Sequence, residues 1–179
     1  HVLPFSQSAL KRYEEPHASL AFGAVANDSA NTRFSSGGGG QLPGYEDGED
    51  NQNRIYQLMQ EWAWQRRGLS FQQELHFKSI EDRLNGGTRI MFGGYAQVGW
   101  FPSDRWKVVP QPLEFALRGA YVDPDSPADL QDTEVSIVAN WFFNGHRNKL
   151  SFDYTYLVAE DDDQRESDYK YQLQWEVSI

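Results

Sequence analysis

The chain has 179 residues, a formal net charge of -10, 15% aromatic residues and no cysteine. The charge argues against nucleic acid, whose phosphates demand a basic footprint; the lack of thiols excludes disulfides, thiolate metal sites and thiol catalysis. No apolar run reaches the ~18 residues that a membrane helix needs, but a β-barrel crosses with strands that are only half apolar and so keeps a negative mean hydropathy.

Residues 1–17 carry little pattern, with Pro4 and Pro16 as breakers, and read as an N-terminal arm or linker. His1 opens without the charged start and apolar core of a secretory leader, so the expectation is a processed chain or part of a longer one. Residues 18–179 read as the strands of a barrel. Leu20, Phe22, Ala24 and Ala26 alternate with small residues over Ala18–Asn27, which predicts the first strand. A long acidic loop, 28–52, follows, with four glycines at 37–40 and Glu46, Asp47, Glu49 and Asp50.

Arg54–Gln65 carries Tyr56, Leu58, Trp62 and Trp64 in one phase, with Gln60 breaking the apolar row. Arg66-Arg67-Gly68 turns the chain into Leu69–Ile80, where Leu69, Phe71, Leu75 and Phe77 oppose Ser70, Gln72, Glu74, His76 and Lys78. After Asn85-Gly86-Gly87, Thr88–Phe101 sets Ile90, Phe92, Gly94, Ala96, Val98 and Trp100 against Arg89, Met91, Tyr95 and Gln97. Pro102–Gln111 is a connection, since its Pro110 and the following Pro112 cannot join a central ladder.

Leu113, Phe115, Leu117, Gly119 and Tyr121 then alternate with Glu114, Ala116, Arg118 and Ala120. The next apolar row is Val135, Ile137, Ala139, Trp141 and Phe143, and Asn144-Gly145 predicts a two-residue hairpin with positive φ at both positions. The returning strand carries Leu150, Phe152, Tyr154, Tyr156 and Val158 opposite Ser151, Asp153 and Thr155. Glu160, Asp161, Asp162, Asp163 and Glu166 crown the last loop.

The final stretch is the cleanest: Tyr169, Tyr171, Leu173, Trp175, Val177 and Ile179 alternate with Lys170, Gln172, Gln174, Glu176 and Ser178. Successive strand side chains point to opposite faces, so the two faces are matched to different surroundings along its whole length. Lipid outside and a wet lumen inside reward that pattern. The predicted fold is all-β: an antiparallel up-and-down transmembrane β-barrel with about eight strands in this chain. Its connections at 66–68, 102–111 and 144–147 then fall on the periplasmic side, and those at 28–52, 81–87, 124–131 and 159–166 outside the cell.

Three segments carry a resemblance. Gly94-Tyr95-Ala96-Gln97-Val98-Gly99-Trp100-Phe101, Leu117-Arg118-Gly119-Ala120-Tyr121-Val122-Asp123-Pro124-Asp125, and Asn140-Trp141-Phe142-Phe143-Asn144-Gly145-His146 running into Lys149-Leu150-Ser151-Phe152-Asp153-Tyr154 are similar to the C-terminal part of phosphate-selective porins of the O and P type. The likeness covers residues 88–179, and its most specific part is the Asn-Gly-His turn with its flanking aromatic strands. It implies that the chain corresponds to the C-terminal half of a trimeric barrel of about 16 strands. It also implies the bacterial outer membrane, lipid and lipopolysaccharide as surroundings, and passage of anions such as phosphate.

Candidate channel-lining residues are the charges of the polar phase: Arg118, Lys78, Arg89, Lys170, Glu114 and Asp153. The cations would attract anions, and Arg118 stands out because it sits mid-strand within the resemblance. The same phase holds Glu61, Glu74, Glu134 and Glu176, so the wall is nearly balanced, and cross-strand salt bridges are the competing role. Trp62, Trp64, Trp100, Trp141, Trp175 and Tyr171 would form interfacial girdles, or else the core of a soluble sandwich.

The acids at 46–50 and 160–166 match no calcium-loop spacing. Glu74 and His76 share a face, but no serine is tied to them by a motif, so no enzyme is expected. No cofactor is implied. The expected function is passive diffusion of small hydrophilic solutes. The alternatives are a closed scaffold barrel that binds a partner, and a soluble eight-stranded carrier whose aromatic face holds an apolar ligand.

Overall fold

The computed structural model describes residues 8–29, 51–125, 131–160 and 165–178. Eight antiparallel strands form one sheet in chain order: β1 (His17–Ser29), β2 (Asn53–Arg66), β3 (Leu69–Asp82), β4 (Thr88–Trp100), β5 (Leu113–Asp123), β6 (Gln131–Phe142), β7 (Asn148–Glu160) and β8 (Arg165–Val177). Each pairs with its sequence neighbours. Among the described residues β1 and β8 do not pair with each other, so the sheet is open rather than a closed barrel. Most of the loop expected at 28–52 lies outside the described residues, as do its acids at 46–50 and Asp161, Asp162 and Asp163; Asp28 and Ser29 belong to β1.

The register keeps like with like. Trp64, Phe71, Val98, Leu117, Ile137, Tyr154 and Tyr171 follow one another as direct partners from β2 to β8, so the apolar row runs unbroken across the sheet. A slip by one residue at any ladder would bring polar side chains into that row. The phase-breaking Gln60 has an explanation here: Gln73, also on the apolar face, donates to its side-chain oxygen at 2.6 Å. Each amide relieves part of the other's cost of standing among apolar neighbours.

The strands are also staggered. From His17, at the start of β1, direct pairing leads through Gln65, Ser70, Gly99, Ala116, Val138 and Asp153 to Gln172, well short of the end of β8 at Val177. Strands that climb in this way are tilted relative to any common axis, and closing a sheet into a barrel requires such a shear.

The turns differ from expectation at one place. Asn144-Gly145 does not make a two-residue hairpin: β6 ends at Phe142, β7 begins at Asn148, and only Gly145 has a positive φ (+55°). Phe143 and Asn144 both donate backbone N–H to the Asn148 carbonyl, and the His146 ring packs edge-on against Phe142, which together widen the connection. The tight turn lies at Arg67-Gly68 instead, with φ of 46° and 75°. The positive φ of Gly68 favours glycine there, and a Cβ would in addition push the Asp104 carboxylate aside and crowd the Phe101 Cβ.

The two ends of the sheet differ in composition. Trp64, Trp100, Trp141 and Trp175 stand at or close to the ends of their strands beside connections 67–68, 101–112 and 143–147, with Trp62 one turn of the pleat further in and Trp106 in the connection itself. This is the tryptophan end. The opposite, acidic end carries Asp28, Glu81, Asp82, Asp123, Asp125, Asp132, Glu160 and Glu166.

Candidate functional site: the polar trough

A cavity of about 350 Å³ is lined mostly by polar-phase side chains of β4 to β8, among them Gln97, Arg118, Glu134, Ser136, Asp153 and Lys170; shallower hollows also lie among the apolar-phase side chains, so it is burial that marks the polar face as the concave one. Crowding on a concave face buries side chains. The buried strand residues Asn53, Ile55, Ala63, Gln65, Ser70, Ile80, Gly99, Glu114, Ser136, Phe142 and Thr155 all belong to this phase, and among the described residues Val158 alone to the other. The convex phase is exposed despite being apolar: Phe22 is 75% accessible, Ile137 55% and Trp175 69%. The fully buried side chains of the strands thus gather on the polar face, although β8 is exposed on both of its faces.

Within the trough the side chains satisfy one another. Ser136 and Thr155 share a hydrogen bond of 2.8 Å, and Thr155 donates onward to Asp153 at 2.6 Å. Glu114 is buried and accepts from Asn140 Nδ2 at 2.9 Å and from Ser8 Oγ at 2.7 Å. Lys149 pairs with Glu176 at 3.3 Å, and Gln174 donates to the other oxygen of Glu176 at 2.8 Å. These bonds run across neighbouring strands and along one strand, so they fix the wall's shape while other lone pairs and N–H groups face the open space.

A second network lies on β3 to β5. Glu74 bonds His76 Nε2 at 2.6 Å and accepts from the Tyr95 hydroxyl at 3.2 Å; Gln72 donates to that hydroxyl at 3.0 Å and accepts from Gln97 at 3.2 Å. Over the Tyr95 ring lies the Arg118 guanidinium, 4.6 Å from its centroid. Stacking on an aromatic face holds the planar cation in position without neutralising it.

The six candidate residues all fall on the concave face. Arg118, Glu114, Asp153 and Lys170 line the one trough, Lys170 opposite Thr155. Lys78 lies in the adjoining hollow with His76, Met91 and Arg118, and Arg89 is at the acidic end of β4, opposite Ile80. Alternation had put all of these in one phase; it could not tell that Glu114 is sealed by Ser8, since 106 positions separate them. Tyr95, Ser136, Thr155, Asn140 and Lys149 are the additions. Their signal was present, as each occupies the polar phase, but only the pairing shows what they hold.

In chemical terms the trough is a hydrogen-bonding surface of mixed charge, with Arg118, Lys149 and Lys170 facing Glu114, Glu134 and Asp153. Among the described residues no cluster of His, Asp and Glu has the geometry to hold a metal. The His76–Glu74 pair is tied into the Tyr95 network as a structural link. No family model, curated protein or solved structure matches this chain.

Proposed function

We propose that the chain forms wall of a porin-like outer-membrane barrel through which small hydrophilic solutes diffuse passively, with anions such as phosphate the class suggested by the resemblance of residues 88–179. One observation carries this reading: the exposed apolar row is convex and the hydrogen-bonded polar row is concave. A fully exposed Leu, Ile or Phe forgoes about 1.5–3 kcal/mol relative to burial. Rows of them on every strand would together rival the ~5–15 kcal/mol by which whole domains are stable. Hydrocarbon against the convex face removes that loss, and water in the trough suits the other face.

Three further features support it. The stagger of the ladder suits tilted barrel strands. Tryptophans gathered at one end of the convex face suit a membrane–water boundary, and the Trp175 indole N–H finds Asn148 Oδ1 at 2.9 Å. The open edges at β1 and β8 suit a wall completed by further strands, because an unpaired ladder edge has no place in lipid. Single-channel recording in planar lipid bilayers tests the reading. Discrete current steps are expected, with a reversal potential in a KCl gradient reporting the balance of the charges around Arg118; a silent bilayer despite inserted protein refutes it.

A further inference from the structure

The trough has a floor. Residues 8–16, ahead of β1, do not leave the sheet but run along its tryptophan end as far as β5, touching successive connections on the way. Arg66 and Arg67 side chains donate to the Glu14 carbonyl and carboxylate at 3.1 and 2.8 Å, and the Arg67 backbone N–H donates to the Tyr13 carbonyl at 2.8 Å. Arg12 comes next. Its guanidinium pairs with Asp104 at 2.9 Å, donates to the Gln111 carbonyl at 2.8 Å and to Ser103 Oγ at 3.3 Å, and lies 4.7 Å from the centre of the Phe101 ring. Ser8 completes the crossing by bonding Glu114 inside the trough.

Beneath this strap lies an apolar cluster of a kind the rest of the trough lacks. Phe101 is 0% accessible and Ala9 1%, and Phe101 packs against Phe142 with ring centroids 5.9 Å apart. Phe142 belongs to the polar phase, so an aromatic ring here replaces the hydrogen-bonding side chains found higher up the same face. A strap and a dry floor on the inner side of a wall narrow whatever space the wall encloses, and apolar constrictions are one way in which pores limit passage.

We propose that residues 8–16 with Phe101 and Phe142 form the constriction of the conduit at its tryptophan end, with Arg12 as the positioning residue that latches the strap. This inference rests on the channel reading above and adds the place where flow is limited. Arg12 and Asp104 remain partly accessible, whereas Ser8, Ala9 and Phe101 are buried, so the latch is the part of the strap most open to disruption.

The test is single-channel conductance of the chain, of a version lacking residues 1–16, and of Arg12→Ala, with circular dichroism confirming retained strand content. Both changes should shift the steps to larger conductance, and Arg12→Ala should add flicker between two levels. Because the chain has no cysteine, Lys11→Cys, at an exposed strap position, supplies a variant that keeps the Arg12 and Ser8 contacts: a charged thiol reagent added from the tryptophan side should reduce the current. Steps of unchanged size in every variant, with no response of Lys11→Cys, overturn the constriction and leave the channel standing. Absence of steps from all variants, deletion included, removes the channel reading and this inference with it.

Discussion

The tryptophan end and the acidic end are built by the same eight strands but held by different forces. At the first, Phe101, Phe142 and the strap's own Ala9 are shut away from water. At the second, Ile55, Ile80, Val158, Gln52 and Asn53 are buried, and charge is paired on the surface: Arg54 with Asp28 at 2.8 Å, Arg83 with Asp28 at 3.4 Å, Arg165 with Glu160 at 3.6 Å. Asp82 adds local order by accepting from the backbone N–H groups of Leu84 and Asn85. Packing is insensitive to salt, whereas exposed ion pairs are screened by it. One end thus has a packed floor beneath an ion-paired strap, and at the other ion pairs form more of the surface.

The sharpest way to break that comparison is Phe101→Ala. A fully buried phenylalanine truncated to alanine should cost about 3–5 kcal/mol, read as a lowered urea midpoint in detergent. Should this variant unfold where the parent does, the floor is not held by packing. Leu117→Arg, mid-strand on the convex row, comes next at about 2–4 kcal/mol when the protein is in lipid; Ala116→Arg, one residue away in the trough, should be nearly neutral. Equal penalties at 116 and 117 would mean that neither face meets hydrocarbon.

Thr155→Val is smaller. It keeps the side chain's shape but strips Ser136 and Asp153 of a shared partner at a position 1% accessible, at a cost of about 1–3 kcal/mol. Arg54→Ala at the acidic end should move the midpoint less than any of these, and the difference from the parent should vanish in high salt. The smallest effect belongs to the connection 143–147. Burial, aided by Lys149 and opposed by Glu176, pushes the His146 imidazole below its usual 6.5, so the fold favours the neutral ring. Its contribution is complete above pH 6.5 and is lost as pH falls through the lowered folded value. An NMR titration of His146 should give a midpoint below 6.5.

Much of the strand content was open to reading, because a period of two in polarity is a local signal that survives without any knowledge of partners. All eight strands overlap the stretches where alternation placed them, although β1 reaches from His17 to Ser29 where Ala18–Asn27 was expected, and β8 runs from Arg165 to Val177 where Tyr169–Ile179 was expected and Glu166 was placed in the loop. The turns were harder. Asn144-Gly145 has the stronger local preference, yet the two-residue hairpin with positive φ at both positions formed at Arg67-Gly68. Gln60 was visible as a break in the row, but its relief by Gln73 depends on how β2 and β3 pair.

By itself, then, the order of residues determined the number of strands, their two unlike faces and the assignment of Arg118, Lys78, Arg89, Lys170, Glu114 and Asp153 to a common face, since each of these follows from neighbours in the chain. Which face curls inward, how the ladder staggers, that β1 and β8 stay apart, and that residues 8–16 cross the trough to meet Glu114 were decided only by the folded molecule. Alternation is symmetric between inside and outside. Curvature and contacts across many positions break that symmetry, and they arise from the packing of the whole sheet.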